Sequence, residues 1–423
     1  MYLRNTVVCC SVTFLIACSS GADNTPHSFE LSNEGGVVVA RNSGVPKFEG
    51  ELFDYEQVLE IRGDPDKPES LLYRPSGFVR LSDGTFLVAD SGNHRIAVFN
   101  SDGDYVRSFG REGDGPGEFR WIARLRTYGN QVLVFDAMLR RTYSFQPDGL
   151  LLDSVSNPLP FFSRIPTLWP TPEGHMVVIT AIDERANIGT GIDHNATIVL
   201  SASLDTLAVV HAPKVTTSHR YPAGPGLLSA PIYFAGASLC RYYPEKGLVV
   251  TGGEEPIVEW YSLNGTLTHR IAIDLPKEPV GGEDRSRIKD FLEQQVTDAR
   301  PNAAEGSGRL RPEMARGLRD HAQYVDFKAY WDMIRVDSEG YIWLQLSYED
   351  GSMYPQAPRE RQRLLSPQGE YLGISEWPAV DGVTWIGQGV LLAFVVEEDT
   401  GLQVPVVFAI KSLYAGMIYP GRE

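Results

Sequence analysis

Between residues 74 and 119 the chain passes four times from a short apolar run into a polar turn. FVRLS leads into Asp83-Gly84, TFLVADS into Gly92-Asn93, RIAVFNS into Asp102-Gly103, and YVRSFG into a glycine-rich stretch at 110–117. Runs of this length, rich in Val, Ile and Phe and cut by Asp-Gly pairs, predict antiparallel strands joined by tight turns. The Asp-Gly pairs carry weight because such turns need residues that tolerate positive φ. A single four-stranded unit cannot bury both of its faces, so similar units are expected on either side of it.

The order P-x-G-(apolar)3, D-G, (apolar)3-A-D-S-x-N-H-R-I-x-V-F, D-G and FGREGDGPGEF closely resembles an NHL repeat, one blade of a six-bladed β-propeller. The resemblance implies that Asp90, Asn93 and Arg95 tie the second strand, the turn and the third strand together. The residues agree by themselves, since an Asp ending a strand beside a turn Asn can cap that turn's amides. A structural role is therefore expected for Asp90, Asn93, His94 and Arg95.

The pattern recurs. In ARLRTYGNQVLVFDAMLRRTYSFQPDGLLLDSVS, Asp136 falls over Asp90, Arg126 over Arg80 and Asp148-Gly149 over Asp102-Gly103, a period of about 46 residues. Asp136 joins the expected blade-structural set, although Asn93 has no counterpart here. Looser units begin at TLWPTPEGHMVVITA, SLCRYYPEKGLVVTGG, DMIRVDSEGYIWLQL and VTWIGQGVLLAFVVEE. Six units fit, and the sixth lacks a fourth strand. QVLEIRG at 57–63 offers one, and closure by it would remove the free sheet edges. The expected fold is all-β: a six-bladed propeller of four-stranded antiparallel blades over residues 47–423. An insertion at about 282–327 interrupts it, where Ile288, Phe291, Leu292 and Val296 follow helical spacing and Pro312 suits a first helical turn. Two short helices are expected there.

The amino terminus changes the picture of location. Arg4 and the apolar stretch 6–17 read as a secretory signal, too short for a membrane span. Leu15-Ile16-Ala17-Cys18 resembles the lipobox of bacterial lipoproteins, which implies cleavage after residue 17 and lipid attachment at Cys18. Ser19 then implies the outer membrane, facing the periplasm or the cell surface. Residues 18–46 are polar and read as a flexible tether. Of four cysteines, Cys9 and Cys10 would leave with the signal and Cys18 would be acylated, so Cys240 has no disulfide partner. The domain, expected to be monomeric, must be held by its core.

Formal charge is −16, from 54 acidic and 38 basic residues, which argues against nucleic acid as a partner. Propellers related to NHL repeats include lyases and lactonases with a metal in the central channel. Such a metal needs His, Asp, Glu or Asn from several innermost strands. Those strands read FVRLS, ARLRTY, TLWPTP, SLCRYYP, DMIRVD and VTWIG, which hold no histidine and only Asp332 and Asp337 as carboxylates. No HExxH, GxSxG or Walker-type loop occurs either. No cofactor, metal or catalytic residue is assigned on this basis, and a metal-dependent lyase or lactonase stands as the alternative. Arginines take that place, with Arg80, Arg126, Arg241 and Arg335 the candidate ligand-binding residues for an anionic or aromatic ligand, or for a protein. Arg80 and Arg126 are expected to share a phase and Arg335 to lie one residue out of it. The competing reading pairs these arginines with acidic turn residues. The function expected is that of a lipid-anchored binding module.

Overall fold

The computed structural model describes residues 26–128, 131–156, 167–171, 173–181, 191–223, 226–244, 246–301, 310–346, 361–397, 399–415, 417 and 419. The signal segment and Cys18 lie outside them. Six sheets follow one another along the chain, each with four antiparallel strands running from the middle of the molecule outward. The first is Pro75–Arg80, Phe86–Asp90, Arg95–Phe99 and Tyr105–Phe109. The second runs from Ile122–Tyr128 to Leu151–Ser156 and the third from Thr167–Pro170 to Thr206–His211. The fourth begins at Leu239–Tyr243, the fifth at Met333–Val336 and the sixth at Gly382–Gly387.

Adjacent sheets bury their faces against each other. Leu87 and Ile96 of the first sheet meet Val132 and Tyr143 of the second. Phe135, Trp169, Val177 and Leu248 join the second, third and fourth. Val258 and Ile271 meet Ile342 and Leu344 between the fourth and fifth, and Trp343 and Leu364 meet Leu391 and Val406 between the fifth and sixth. Phe78, Phe86, Leu392 and Phe394 then return the sixth sheet onto the first. Each fully buried large apolar side chain is worth about 1.5–3 kcal/mol, so the ring is held by its sheet-to-sheet interfaces. At Gly77 an added Cβ would stand 2.9 Å from the Leu125 Cβ, and glycine there lets the first two inner strands approach.

The ring is closed by Phe53–Glu60, which pairs antiparallel with Gln403–Ser412 as the outer strand of the sixth sheet. The closing strand begins four residues before the one expected, pairing from Phe53 opposite Ser412, with a register shift between Gln57 and Leu59.

Two features depart from the sequence reading. The expected tether is in part a hairpin: Phe29–Glu34 pairs with Val37–Ser43, which adds in parallel to Leu267–Asp274 and extends the fourth sheet to six strands. Its polar composition misled because the outer strand exposes most of its residues, leaving only Val39, Ala40 and Asn42 buried. The Asn42 amide donates to Gly369 O (2.9 Å) and Ala272 O (3.3 Å) and its oxygen accepts from Tyr371 N (2.7 Å), stitching the fourth sheet to the fifth. A seventh sheet, unforeseen, is built on the long hairpin of Val215–Ala223 and Gly226–Tyr233, flanked by Gly191–Asp193 and Gln323–Tyr324. The insertion helices, α1 (Gly282–Asp298) and α2 (Pro312–Asp320), pack beside it through Ile288, Leu292, Tyr233 and Phe234.

Within the first sheet, Asp90 is fully buried and its carboxylate accepts from Tyr73 N (2.7 Å), Asn93 Nδ2 (2.8 Å) and Arg95 Nε (2.8 Å). Arg95 and Asn93 donate also to Leu71 O, so one carboxylate joins the segment entering the sheet to its second and third strands. Asp136 is equally buried, but among the described residues its donors are backbone amides, those of Arg120, Trp121 and Leu139. The Leu139 amide takes the place of the missing turn Asn. Arg141 makes no bond to Asp136 and donates instead to Ser156 Oγ at 3.3 Å.

Two stability changes follow. Asp90→Ala removes the buried acceptor of the half-buried Arg95 Nε and of a backbone amide and should cost about 3–5 kcal/mol in chemical denaturation; a loss below 1 kcal/mol would remove the tie from the account. Asn42→Ala should cost about 1–3 kcal/mol by leaving Gly369 O and Tyr371 N unmatched. An unchanged transition in that variant would return residues 29–43 to the status of a tether.

Candidate functional site

The inner strands of all six sheets border a central channel of about 700 Å³. Side chains of Arg124, Arg126, Arg241, Lys246 and Arg335 line it, with Trp169, Tyr243 and Trp385 among the aromatic groups between them. Three of the four candidate arginines therefore meet in one place. Arg80 does not.

The reason lies in strand register. Arg126 is paired opposite Leu133, three residues before the strand-ending Asp136, whereas Arg80 is opposite Phe86, four before Asp90. One residue of slip turns a side chain to the other face of its sheet. Arg126 accordingly stacks forward on Trp169 of the third sheet at 4.5 Å, and Arg335 forward on Trp377, beyond the fifth sheet, at 5.1 Å. Arg80 turns back toward the sixth sheet, lies over Phe86 at 5.8 Å and reaches Gln388 O at 3.4 Å. So Arg126 and Arg335 share the phase and Arg80 is the one out of it, the reverse of the sequence alignment. Counting from the turn aligned the wrong residues because the second sheet's first turn is shorter than that of the first.

Three of the channel cations bond to backbone carbonyls, while Arg335 Nη1 donates to Gln345 Oε1 (3.2 Å). Arg126 Nη1 donates to Tyr242 O (3.1 Å), Arg124 Nη1 to Ala123 O (2.8 Å) and Arg241 Nη1 to Cys240 O (3.0 Å). Among the described residues none of these three has an ion-pair partner, so the expectation that they pair with turn carboxylates fails for them. Desolvation pushes Arg126 down to about 10, with the neighbouring Arg241 and Arg124 charges adding to the fall. Burial lowers Arg124 as well, and Arg241 again contributes. Both stay cationic at neutral pH, and they repel one another across a partly dehydrated space.

Asp337 is the carboxylate among the lining residues, and it is no counter-ion. Its Oδ2 accepts from Trp343 Nε1 (2.9 Å) and Tyr419 OH (2.7 Å), and its Oδ1 from the amides of Tyr341 (2.8 Å) and Glu339 (3.1 Å). Burial raises its pKa to about 6 in spite of those donors. Its oxygens are committed to holding the fifth sheet's first turn and residue 419 near the carboxyl end. Asp332, the other inner-strand carboxylate, lies outside the lining. Among the described residues no group of three His, Cys, Asp or Glu side chains is placed to hold a metal ion.

Lys246 and Trp169 were not singled out from sequence, the first because it sits in a turn and the second because an inner-strand Trp reads as core. Arg124, two residues before Arg126 on the same strand, carried a usable signal, since alternate strand residues share a face. Among the described residues, none of the helical insertion lines the channel. Residues at its base, among them Lys277, Lys328 and Tyr330, border a separate cavity of about 340 Å³.

Residues 72–99 match the family model of the NHL repeat. The RING finger protein nhl-1 of Caenorhabditis elegans is 39% identical over 117 residues, which are 28% of this chain and 12% of that protein. An exported protein of Bacteroides fragilis superposes with a TM-score of 0.46 at 9% identity, covering 88% of this chain and 99% of its own. A DUF4221 family member from Bacteroides vulgatus gives 0.42 at 10% identity, over 86% and 99%. A streptogramin B lyase gives 0.36 at 11% identity, over 85% and 98%. Likenesses of that depth settle no chemistry. The repeat match coincides with the first sheet, and further four-stranded antiparallel sheets follow it around the channel: the chain is an NHL-repeat-like β-propeller.

Proposed function

We propose that this chain is a lipid-anchored, extracytoplasmic six-bladed propeller that binds a small anionic ligand in its central channel. The observation that carries the reading is the group Arg124, Arg126 and Arg241, which converge without an ion-pair partner among the described residues. Guanidinium groups held together in a partly desolvated space are costly unless an anion neutralises them, and low-dielectric walls focus their field on such an anion. The aromatic lining suits a ligand with an apolar or unsaturated body. The alternative, a metal-dependent lyase or lactonase, finds no ligand set among the described residues. The anchoring rests on Leu15-Ile16-Ala17-Cys18, with the outer membrane favoured by Ser19. No helix among the described residues is long and apolar enough to cross a membrane.

Anchoring is checked by fractionation. Cys18→Ser should move the protein from the membrane to the soluble fraction, and unchanged partitioning would sink that part of the proposal. Binding is checked by thermal shift with a panel of organic acids and phosphate esters. A compound present at a hundred times its Kd should stabilise the wild type by about 2.7 kcal/mol and lose most of that effect against Arg126→Ala. A panel with no stabilising anion, or a stoichiometric tightly held metal with lyase activity lost on chelation, would overturn the binding-module reading.

A further inference from the structure

Arg124 and Arg126 stand two residues apart on one inner strand, so their side chains leave the same face of the second sheet, and Arg241 stands on the inner strand of the fourth. The third sheet packs between these two and contributes Trp169, on whose indole Arg126 is laid at 4.5 Å. That ring is fully buried and borders the channel, and its Nε1 has no acceptor among the described residues. Each of the three guanidiniums spends one Nη1 bond on a backbone carbonyl, which leaves most of its five N–H donors for a ligand. Stacking on a rigid ring and bonding to main chain fix where those donors lie before a ligand arrives. The Arg241 charge is felt at both Arg124 and Arg126, so the three act on one space. Arg335 is left out of the group, because its Nη1 donates to Gln345 Oε1. Asp337 does not answer the three either, its oxygens being held by Trp343, Tyr419 and two amides.

This wall offers N–H donors and three positive charges to one end of a ligand. A carboxylate brings one charge and two oxygens, which a single arginine fork satisfies. It would leave two guanidiniums in a partly dehydrated space without a counter-charge. A phosphate monoester brings close to two charges at neutral pH and three acceptor oxygens on one atom, one for each guanidinium. We infer that the channel selects a ligand ending in a tetrahedral, doubly charged oxyanion, of the phosphomonoester or phosphonate class, seated among Arg124, Arg126 and Arg241. This rests on the anion-binding reading above and narrows it to a ligand class. A cavity of about 700 Å³ is the size that holds a whole small molecule, and Val79, Ile179 and Trp385 give its remainder an apolar or aromatic wall. An organic body on the phosphate is therefore expected, with free phosphate the other source of the same chemistry.

Isothermal titration of the full-length protein with phenyl phosphate, benzenesulfonate, benzoate and inorganic phosphate tests the inference. It is run at pH 8, above the second ionisation of a phosphate ester at about 6. Phenyl phosphate should bind at least tenfold more tightly than benzoate and than benzenesulfonate, which has the tetrahedral shape but one charge. The difference should shrink as salt is raised. Arg241→Leu should bring phenyl phosphate to within about threefold of benzoate, and Arg241→Lys should keep part of the gain. Arg80→Leu removes the same charge from outside the channel lining and should leave the ratio unaltered, which separates a direct contact from net charge. Inorganic phosphate binding as tightly as phenyl phosphate would support the dianion site and assign it to free phosphate. Benzoate or benzenesulfonate matching phenyl phosphate, an unaltered ratio in Arg241→Leu, or an equal loss in Arg80→Leu would overturn the inference and leave the anion-binding proposal standing. Failure of every probe and of the wider acid panel would remove both.

Discussion

A four-stranded sheet apolar on both faces is stable only between two others, and everything in this protein depends on satisfying that condition six times in succession. The interfaces do so with large buried side chains. The last is made by Phe53–Glu60, brought from far up the chain to pair with Gln403–Ser412. Without that strand the sixth sheet would keep a free edge beside the first, with unpaired backbone groups along it. Closure thus joins the two ends of the domain, and local turns and long-range packing stabilise the same arrangement.

Packing sheets in a ring leaves their inner strands around an axis where no further side chains are needed for the core. Polar and charged residues are tolerated there because water or a ligand can reach them. This is how a protein with a formal charge of −16 can keep arginines together at its centre. The acidic groups are spent elsewhere. Asp90 and Asp136 hold turns, Asp337 holds a turn and Tyr419, and many surface carboxylates pair with nearby cations such as Arg120, Arg270 and Lys328. Among the described residues, Arg124, Arg126 and Arg241 are left in the channel without a carboxylate partner.

The additions to the ring use the same physics differently. The hairpin at residues 29–43 covers what would otherwise be the outer edge of the fourth sheet, and Asn42 converts that cover into a bridge to the fifth. The insertion helices rest beside the seventh sheet, where α1 buries Ile288 and Leu292 and leaves its charged face in water. Neither helix has a described residue in the channel lining.

How much was legible in the sequence follows from how local each signal is. The Asp-Gly turns, the period between Asp90 and Asp136 and the apolar runs act over a few residues, so they determined the strands, the repeat and the helical insertion without knowledge of anything distant. The tie made by Asp90, Asn93 and Arg95 was legible for the same reason, since six residues span it. The hairpin at 29–43 was not, because a strand that only covers an edge needs almost no apolar pattern of its own. The convergence of Arg126, Arg241 and Arg335, and the exclusion of Arg80, were decided by tertiary structure. A one-residue difference in register, invisible in composition, turns Arg80 onto Phe86 and Arg126 onto Trp169, and only the closed ring brings strands more than a hundred residues apart to one axis.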